Sequence, residues 1–207
     1  MTTTGAVDTS FDPGTGADNG FVSAVAIQRD GNIIVAGNFT SFNGTERHGI
    51  ARLLTNGVLD TTFNPGLGVD GAVRSIAIHT NGIHNGKIII VGDFTNVNTT
   101  NRNYIARLNT DGSLDNTFRP PSGPNGPVYA VKIQTDSKIV IGGDFTSVNG
   151  VGRNHVARLQ SSGTLDLRFD PANGADGIVY ALELDDNSSG TSNIINVNVN
   201  RSASGGA

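Results

Sequence analysis

An all-β fold built from one copied unit is the architecture the sequence predicts, and three observations carry it. A short text recurs: Phe11-Asp12-Pro13 returns as Phe63-Asn64-Pro65, Phe118-Arg119-Pro120 and Phe169-Asp170-Pro171, at steps of 52, 55 and 51 residues. Hairpin dipeptides (Asp30-Gly31, Asn56-Gly57, Asn81-Gly82, Asp111-Gly112) sit between short runs of β-forming residues and tolerate the positive φ that tight turns need. No stretch sustains a 3.6-residue apolar period with helix caps, so almost no helix is expected. Strands and turns recurring at this length mean one supersecondary unit that cannot bury its own faces, so its copies must stack.

The third copy shows the elements in order. Val128-Tyr129-Ala130-Val131-Lys132-Ile133 alternates with period two and reads as a first strand. After a turn at Thr135-Asp136-Ser137, Lys138 to Phe145 reads as a buried second strand ending in glycines. A polar loop, Thr146 to Asn154, leads to the third strand, His155 to Leu159. A Ser-Ser-Gly turn leads to the fourth, Leu165 to Phe169, and the Pro171 loop opens the next unit. Four antiparallel strands at this period predict a β-propeller-like array of four-stranded blades, ahead of a linear β-solenoid or two sandwiches. First strands have a bulky face (Val25 and Ile27, Ile76 and Ile78, Val131 and Ile133, Leu182 and Leu184). The other face starts with Val22, Val73, Val128 or Val179 and then turns small, which suits a neighbouring sheet on one side and a crowded axis on the other.

Complete units are expected at 22–63, 73–118 and 128–169, with a partial one at 179–184. Residues 1–6 form a tail, 7–184 the repeats, and 185–207 either a last partial blade or the start of a following β domain. Leu184 to Ile194 has the same spacing as Ile78 to Ile88, which suits a second strand at 193–199. The array is expected to be incomplete, an open arc of just under four blades in preference to a closed four-bladed ring. An open arc leaves an exposed strand edge.

Composition excludes several classes. Charged residues are 15% of 207 and the net charge is −4, too mild to capture nucleic acid or an anionic membrane. Apolar runs are far shorter than the roughly 20 residues a spanning helix needs. With no cysteine there is no disulfide, thiolate nucleophile or Cys-type metal site. No secretory signal pattern precedes the first repeat text.

The segments Leu114-Asp115-Asn116-Thr117-Phe118, Val-Tyr-Ala-Val-Lys-Ile, Lys-Ile-Val-Ile-Gly-Gly-Asp-Phe and Asn-His-Val-Ala-Arg-Leu resemble the delta-60 repeat over 7–184. The resemblance implies a bacterial β-propeller of no established activity, in large secreted, surface or phage-associated proteins. Ile195 to Ser202 resembles the start of a Calx-β domain.

Candidate chemistry is weighed against structural roles. Arg52, Arg107 and Arg158 recur opposite Asp60, Asp115 and Asp166, which predicts a cross-strand ion pair in each blade. Arg47, Arg102 and Arg153 recur in the long loop after the second strand and are the better ligand candidates, with Asn43, Asn98 and Asn149 beside them. Asn38, Asp93 and Asp144 suit Asx-type hydrogen bonds to loop backbone. Oxygens cluster at Asp12 with Asp18, and at Asp170 with Asp176, in a manner calcium accepts, although no EF-hand loop is present. Gly66-x-Gly68-x-x-Gly71 matches a dinucleotide fingerprint by letter but has no helix or βαβ context. His48, His79, His84 and His155 fall at different repeat positions, and no nucleophile elbow occurs. On the first strands, Lys132 and Glu183 are the charged exceptions.

These features predict a non-catalytic binding or scaffolding module, adhesin- or tail-fibre-like, at a cell surface, outside the cell or on a virion. Loops on one face would bind a glycan or a protein, with no cofactor and with calcium as the minor alternative. The rival readings are a structural spacer that contacts other domains of its parent protein, and a propeller lyase or hydrolase.

Overall fold

The computed structural model describes residues 4–185 and 193–199. The first unit runs through β1 (Ala17–Asp18), β2 (Val22–Ile27), β3 (Ile33–Gly37), β4 (Ser41–Phe42), β5 (Thr45–Glu46) and β6 (Ile50–Leu53). The second supplies β7 (Val73–Ile78), β8 (Ile88–Gly92), β9 (Asn96–Val97), β10 (Thr100–Asn101) and β11 (Ile105–Leu108). The third supplies β12 (Val128–Ile133), β13 (Ile139–Gly143), β14 (Ser147–Val148), β15 (Val151–Gly152) and β16 (Val156–Leu159), and β17 (Val179–Asp185) and β18 (Asn193–Val199) follow. A 3-10 turn at Gly82–His84 lies in the longer β7–β8 connection.

Each blade is an antiparallel meander: β2-β3-β6, β7-β8-β11 and β12-β13-β16. β17 and β18 pair antiparallel, with Leu184 opposite Ile194 as Ile78 lies opposite Ile88. The Calx-β-like segment ends beyond the described residues.

The fourth strand of each blade is reduced to one bridge: Leu53 with Leu59, Leu108 with Leu114, Leu159 with Leu165. An aspartate ends it. Asp60 Oδ1 accepts from the Thr62 amide at 2.9 Å and its hydroxyl at 2.7 Å, and Asp115 does the same with Thr117. That Asx turn bends the chain out of its own sheet. The freed amides then dock on the next unit's hairpin: Asp12 N on Asn56 O at 2.9 Å, Asn64 N on Asp111 O at 2.7 Å, Arg119 N on Ser162 O at 2.9 Å. Gly57 shows why that hairpin carries glycine. Its φ is +92°, and a Cβ there would sit 2.7 Å from the Asp12 carbonyl carbon.

The inner strands depart from simple alternation. Val22 pairs with Gly37 but Ala24 with Ala36, so Ser23 is an extra, bulged residue. The same shift brackets Arg74, Tyr129 and Tyr180. A one-residue bulge reverses which face the preceding residue occupies. Val73 therefore joins Ile76 and Ile78 in one cluster, and Val128 joins Val131 and Ile133 in the next. This corrects the expected assignment of the leading valines to the small face. Nor does the small face meet a crowded axis: Ala130 packs against Val179 and Leu182 of the following strand. Small residues there let adjacent inner strands approach closely.

The core consequently lies between blades. Ile34, Ala36 and Ile50 of the first unit pack with Ile88, Ile90, Ala106 and Leu108 of the second. Ile89, Val91 and Ile105 pack with Ile139, Ile141, Ala157 and Leu159 of the third. Each isoleucine, valine or leucine among them stabilises by about 1.5–3 kcal/mol when fully buried. Among the described residues the array is not closed. No described residue covers the leading face of β2, where Val25 and Ile27 are 61% and 71% exposed.

Candidate functional site

The recurrent Arg–Asp pairs form as expected, and they do more than tie a hairpin. Arg52, Arg107 and Arg158 donate from Nε to Asp60, Asp115 and Asp166 at 2.8, 2.7 and 2.9 Å. Their guanidinium carbons lie 5.0, 5.1 and 4.9 Å from the ring centres of Phe63, Phe118 and Phe169. Arg52 and Arg107 also donate at 2.7 Å to the Thr110 and Ser161 carbonyls of the following unit. The motif is thus an inter-blade latch. Burial opposes ionisation of Asp115, but hydrogen bonds from Lys87, Thr117 and Arg107 outweigh it and hold the carboxyl well below its usual range.

The loop after each second strand is a small hairpin, and these hairpins gather on one rim. β4–β5, β9–β10 and β14–β15 each follow the end of strand two that pairs with the start of strand one. Each hairpin also pairs with the segment that leads into its blade, through β1–β4 and the bridges Val69–Val97 and Pro124–Val148. Arg47, Arg102 and Arg153 follow the hairpins at equivalent places, with amides bonded to Thr40, Thr95 and Thr146. Each folds its Nη1 back onto the preceding carbonyl at 2.7–2.8 Å and leaves its Nε without a hydrogen bond. Burial, then the charge of Arg119, lowers the pKa of Arg102.

The neighbouring asparagines hold the rim together. Asn43, Asn98 and Asn149 adopt left-handed φ of 49–55° at the hairpin tips. Their Oδ1 atoms accept from the amides of Gly16, Leu67 and Gly123 at 2.7–2.9 Å. The acidic candidates occupy turn positions as well. Asp12 and Asp170 accept from the amides of Gly14 and Ala172 at 2.9 and 3.0 Å. Asp18 accepts from Ser41 Oγ at 3.1 Å and the Gly44 amide at 3.2 Å. Asp176 is the fourth member of the series Asp18, Asp70, Asn125. Asp70 takes four hydrogen bonds from Thr95 and Asn96 at 2.8 Å, which outweigh its burial and bring its pKa to about 2.

A second group of residues converges at the same rim, on the hub. The four bulged residues, Ser23, Arg74, Tyr129 and Tyr180, line one hollow of about 410 Å³ along the inner strands. Glycine at the end of strand two makes the bulge feasible. A Cβ on Gly37, Gly92 or Gly143 would overlap the carbonyl oxygen of Phe21, Ala72 or Pro127. Arg74 pairs with Asp93 through both Nε, at 2.9 Å, and Nη2. Tyr129 and Tyr180 stack with ring centres 5.2 Å apart and planes at 16°. Burial, and then the charges of Asp93 and Asp144, raise the Tyr129 pKa, so its hydroxyl stays a donor at neutral pH. Asn38, at the position of Asp93 and Asp144, accepts from the Phe21 amide at 2.8 Å, a backbone bond to the segment before the first strand and not the Asx turn expected with the following loop. Further along the hub, Lys132 pairs with Glu183 at 2.8 Å, both solvent-exposed at 41% and 66%.

The bulge row escaped sequence reasoning because a bulge is invisible to a period-two reading. One signal was present: between a valine and a small residue, the copies read Ser, Arg, Tyr, Tyr, with no chemistry common to all four.

Successive antiparallel blades, each packed by its inner strand on the next, define a β-propeller repeat protein. Three stretches, 28–63, 84–118 and 134–169, match the profile described as "Domain of unknown function (DUF5122) beta-propeller". They make up just over half of the chain, which belongs to that family. Among solved structures it is similar to the "WD40 beta propeller domain of Doa1", at 16% identity and a TM-score of 0.52. That likeness covers 80% of this chain but only 45% of the other, and at such identity it concerns the fold alone. No curated protein matches the chain.

Proposed function

We propose that this chain is a non-catalytic binding or scaffolding module of delta-60-type repeats, within a large secreted, cell-surface or phage-tail-type protein. Its ligand, a glycan or a protein, is taken on the rim that carries the β4–β5, β9–β10 and β14–β15 hairpins. One observation carries the reading. The repeated residues are spent on the inter-blade latch, while the residues that differ between copies gather in a single hollow at that rim. The charged hub pair Lys132–Glu183 is solvent-exposed, unlike a buried acid or base tuned for catalysis. No cofactor is part of this reading.

The test is binding of the intact chain to glycan arrays and to bacterial cells, compared with the triple variant Arg47→Ala, Arg102→Ala, Arg153→Ala. A loss of binding assigns the rim arginines to the ligand; unchanged binding discards them. The spacer reading has its own support, because the amide oxygens of Asn43, Asn98 and Asn149 are consumed by the protein's own backbone. It requires that the intact chain bind nothing on either array.

A further inference from the structure

We infer that the hub hollow is a binding site for a neutral saccharide, with Tyr180 as its stacking platform. The inference deepens the rim-binding reading and rests on it. The ring of Tyr180 is 48% exposed and backed by Tyr129, so one face is held rigid while the residue remains open to solvent. A flat, weakly polar face of this kind suits the axial C–H face of a pyranose ring, and an immobilised aromatic loses little entropy on binding. Sugars also need donors and acceptors in fixed pairs for vicinal hydroxyls. Arg74, clamped by Asp93, presents a planar donor array that cannot swing away. Asp144 stands exposed and close enough to act on Tyr129, and supplies the carboxylate acceptor at the mouth.

The charge balance selects the ligand class. The two lining cations, Arg74 and Lys132, are already paired with Asp93 and Glu183, and Asp144 stands exposed nearby, which disfavours phosphate, sulfate and nucleic acid. A mix of one platform, one fixed fork and carboxylate acceptors matches an uncharged polyol better than an apolar peptide side chain. A hollow of about 410 Å³ has room for one or two sugar rings. The competing ligand is a cationic arginine side chain of a partner protein, stacked on Tyr180 and paired with Asp144.

The experiment is a ¹H–¹⁵N NMR titration of the intact chain with maltotriose, cellotriose, mannotriose and chitotriose, and separately with N-acetyl-arginine amide. The expected result is a saturable shift of the amides at 22–24, 73–75, 128–130 and 179–181 with at least one trisaccharide. Tyr180→Ala should weaken that binding at least tenfold without lowering the thermal midpoint, and Tyr180→Phe should retain it. No shift with any of the four sugars, shifts with the arginine probe alone, or an unaffected Tyr180→Ala variant overturns the inference. The triple rim-arginine variant should still bind the sugar. If the sugars fail while array or cell binding of the wild type persists, this inference fails and the rim-binding reading stands.

Discussion

His79 is a built-in acid sensitivity, and its size follows from its surroundings. The imidazole is 0% exposed, and neither ring nitrogen has a hydrogen-bond partner. Burial, then the positive charges of Arg107, His84 and Lys87, lower its pKa from 6.5 to about 4. Because the folded value lies below the unfolded one, the unfolded chain takes the proton first. Stability is therefore full above about pH 6.5, falls as pH drops, and levels off below about 4. At pH 4.5 the loss amounts to about 2.5 kcal/mol relative to pH 7.5. The lowered carboxyls of Asp60, Asp70 and Asp115 lose their contribution only as pH falls below their unfolded value of 3.8, so pH 4.5 stays clear of them. Gln28 and Gln134 occupy the same repeat position, which makes His79→Gln a natural substitution. Urea unfolding at pH 7.5 and 4.5 should show the loss in the wild type and most of it abolished in the variant. His84, also lowered by burial first, keeps the remainder. An NMR titration placing the His79 midpoint near 6.5, or an equal pH loss in His79→Gln, would refute the reasoning.

Three further outcomes are expected. Arg107→Ala should cost about 3 kcal/mol by urea unfolding, because it leaves a buried carboxylate with Lys87 as its one cation, while Arg158→Ala should cost about 1; the side chains are 1% and 20% exposed, and among the described residues Arg158 bonds no carbonyl of a following unit. A reversed ranking contradicts the latch. Ser137 has φ +66° at the hairpin position where the first unit carries Gly31, so Ser137→Gly should raise stability by about 0.5–1 kcal/mol, read as a higher thermal midpoint. Ile27→Ala should change stability by less than about 0.5 kcal/mol, whereas Ile78→Ala at the same repeat position should cost at least about 1, since only Ile78 packs on a preceding blade.

Most of the fold was legible because its determinants are local. Asx-Gly turns, alternating strands and a fixed period all act within one unit, and the Arg–Asp pairing follows from the hairpin between them. What escaped were features set by the neighbouring copy. The fourth strand, read from Leu165 to Phe169, breaks after Leu165 because its aspartate caps a turn and its backbone leaves for the next hairpin. The polar loop after strand two proved to be a hairpin. Its one buried apolar residue in each copy (Phe42, Val97 or Val148, 0–3% exposed) plugs the end of the blade and was a signal in plain view. The leading valines were placed on the wrong face because period-two counting fails across an inserted residue.

That inserted residue explains where this scaffold is free to vary. In the second and third units most other positions of the inner strand are committed: bulky residues fill the preceding blade, and small ones admit the following strand. A change at any of them is felt at an interface, and the same interface recurs in every unit, so the copies stay alike. The bulged position is outside the ladder and outside the buried core, and touches the next inner strand only at its surface, through Ser23 Oγ on the Val73 carbonyl and Tyr129 on Tyr180. Serine, arginine or tyrosine can occupy it while the blade-to-blade core is unchanged. Because stacking brings equivalent positions together, four unconstrained positions become one surface, and their differences along the sequence become differences around a single hollow. A repeat protein that acquires a ligand without loosening its core would acquire it there. Exchanging Arg74 and Tyr129 between their two bulges should therefore lower the unfolding free energy by no more than about 2 kcal/mol, the worth of the Tyr129–Tyr180 stack and the Arg74–Asp93 pair, while altering what the rim binds. A large destabilisation would mean that the bulge residues belong to the packing after all.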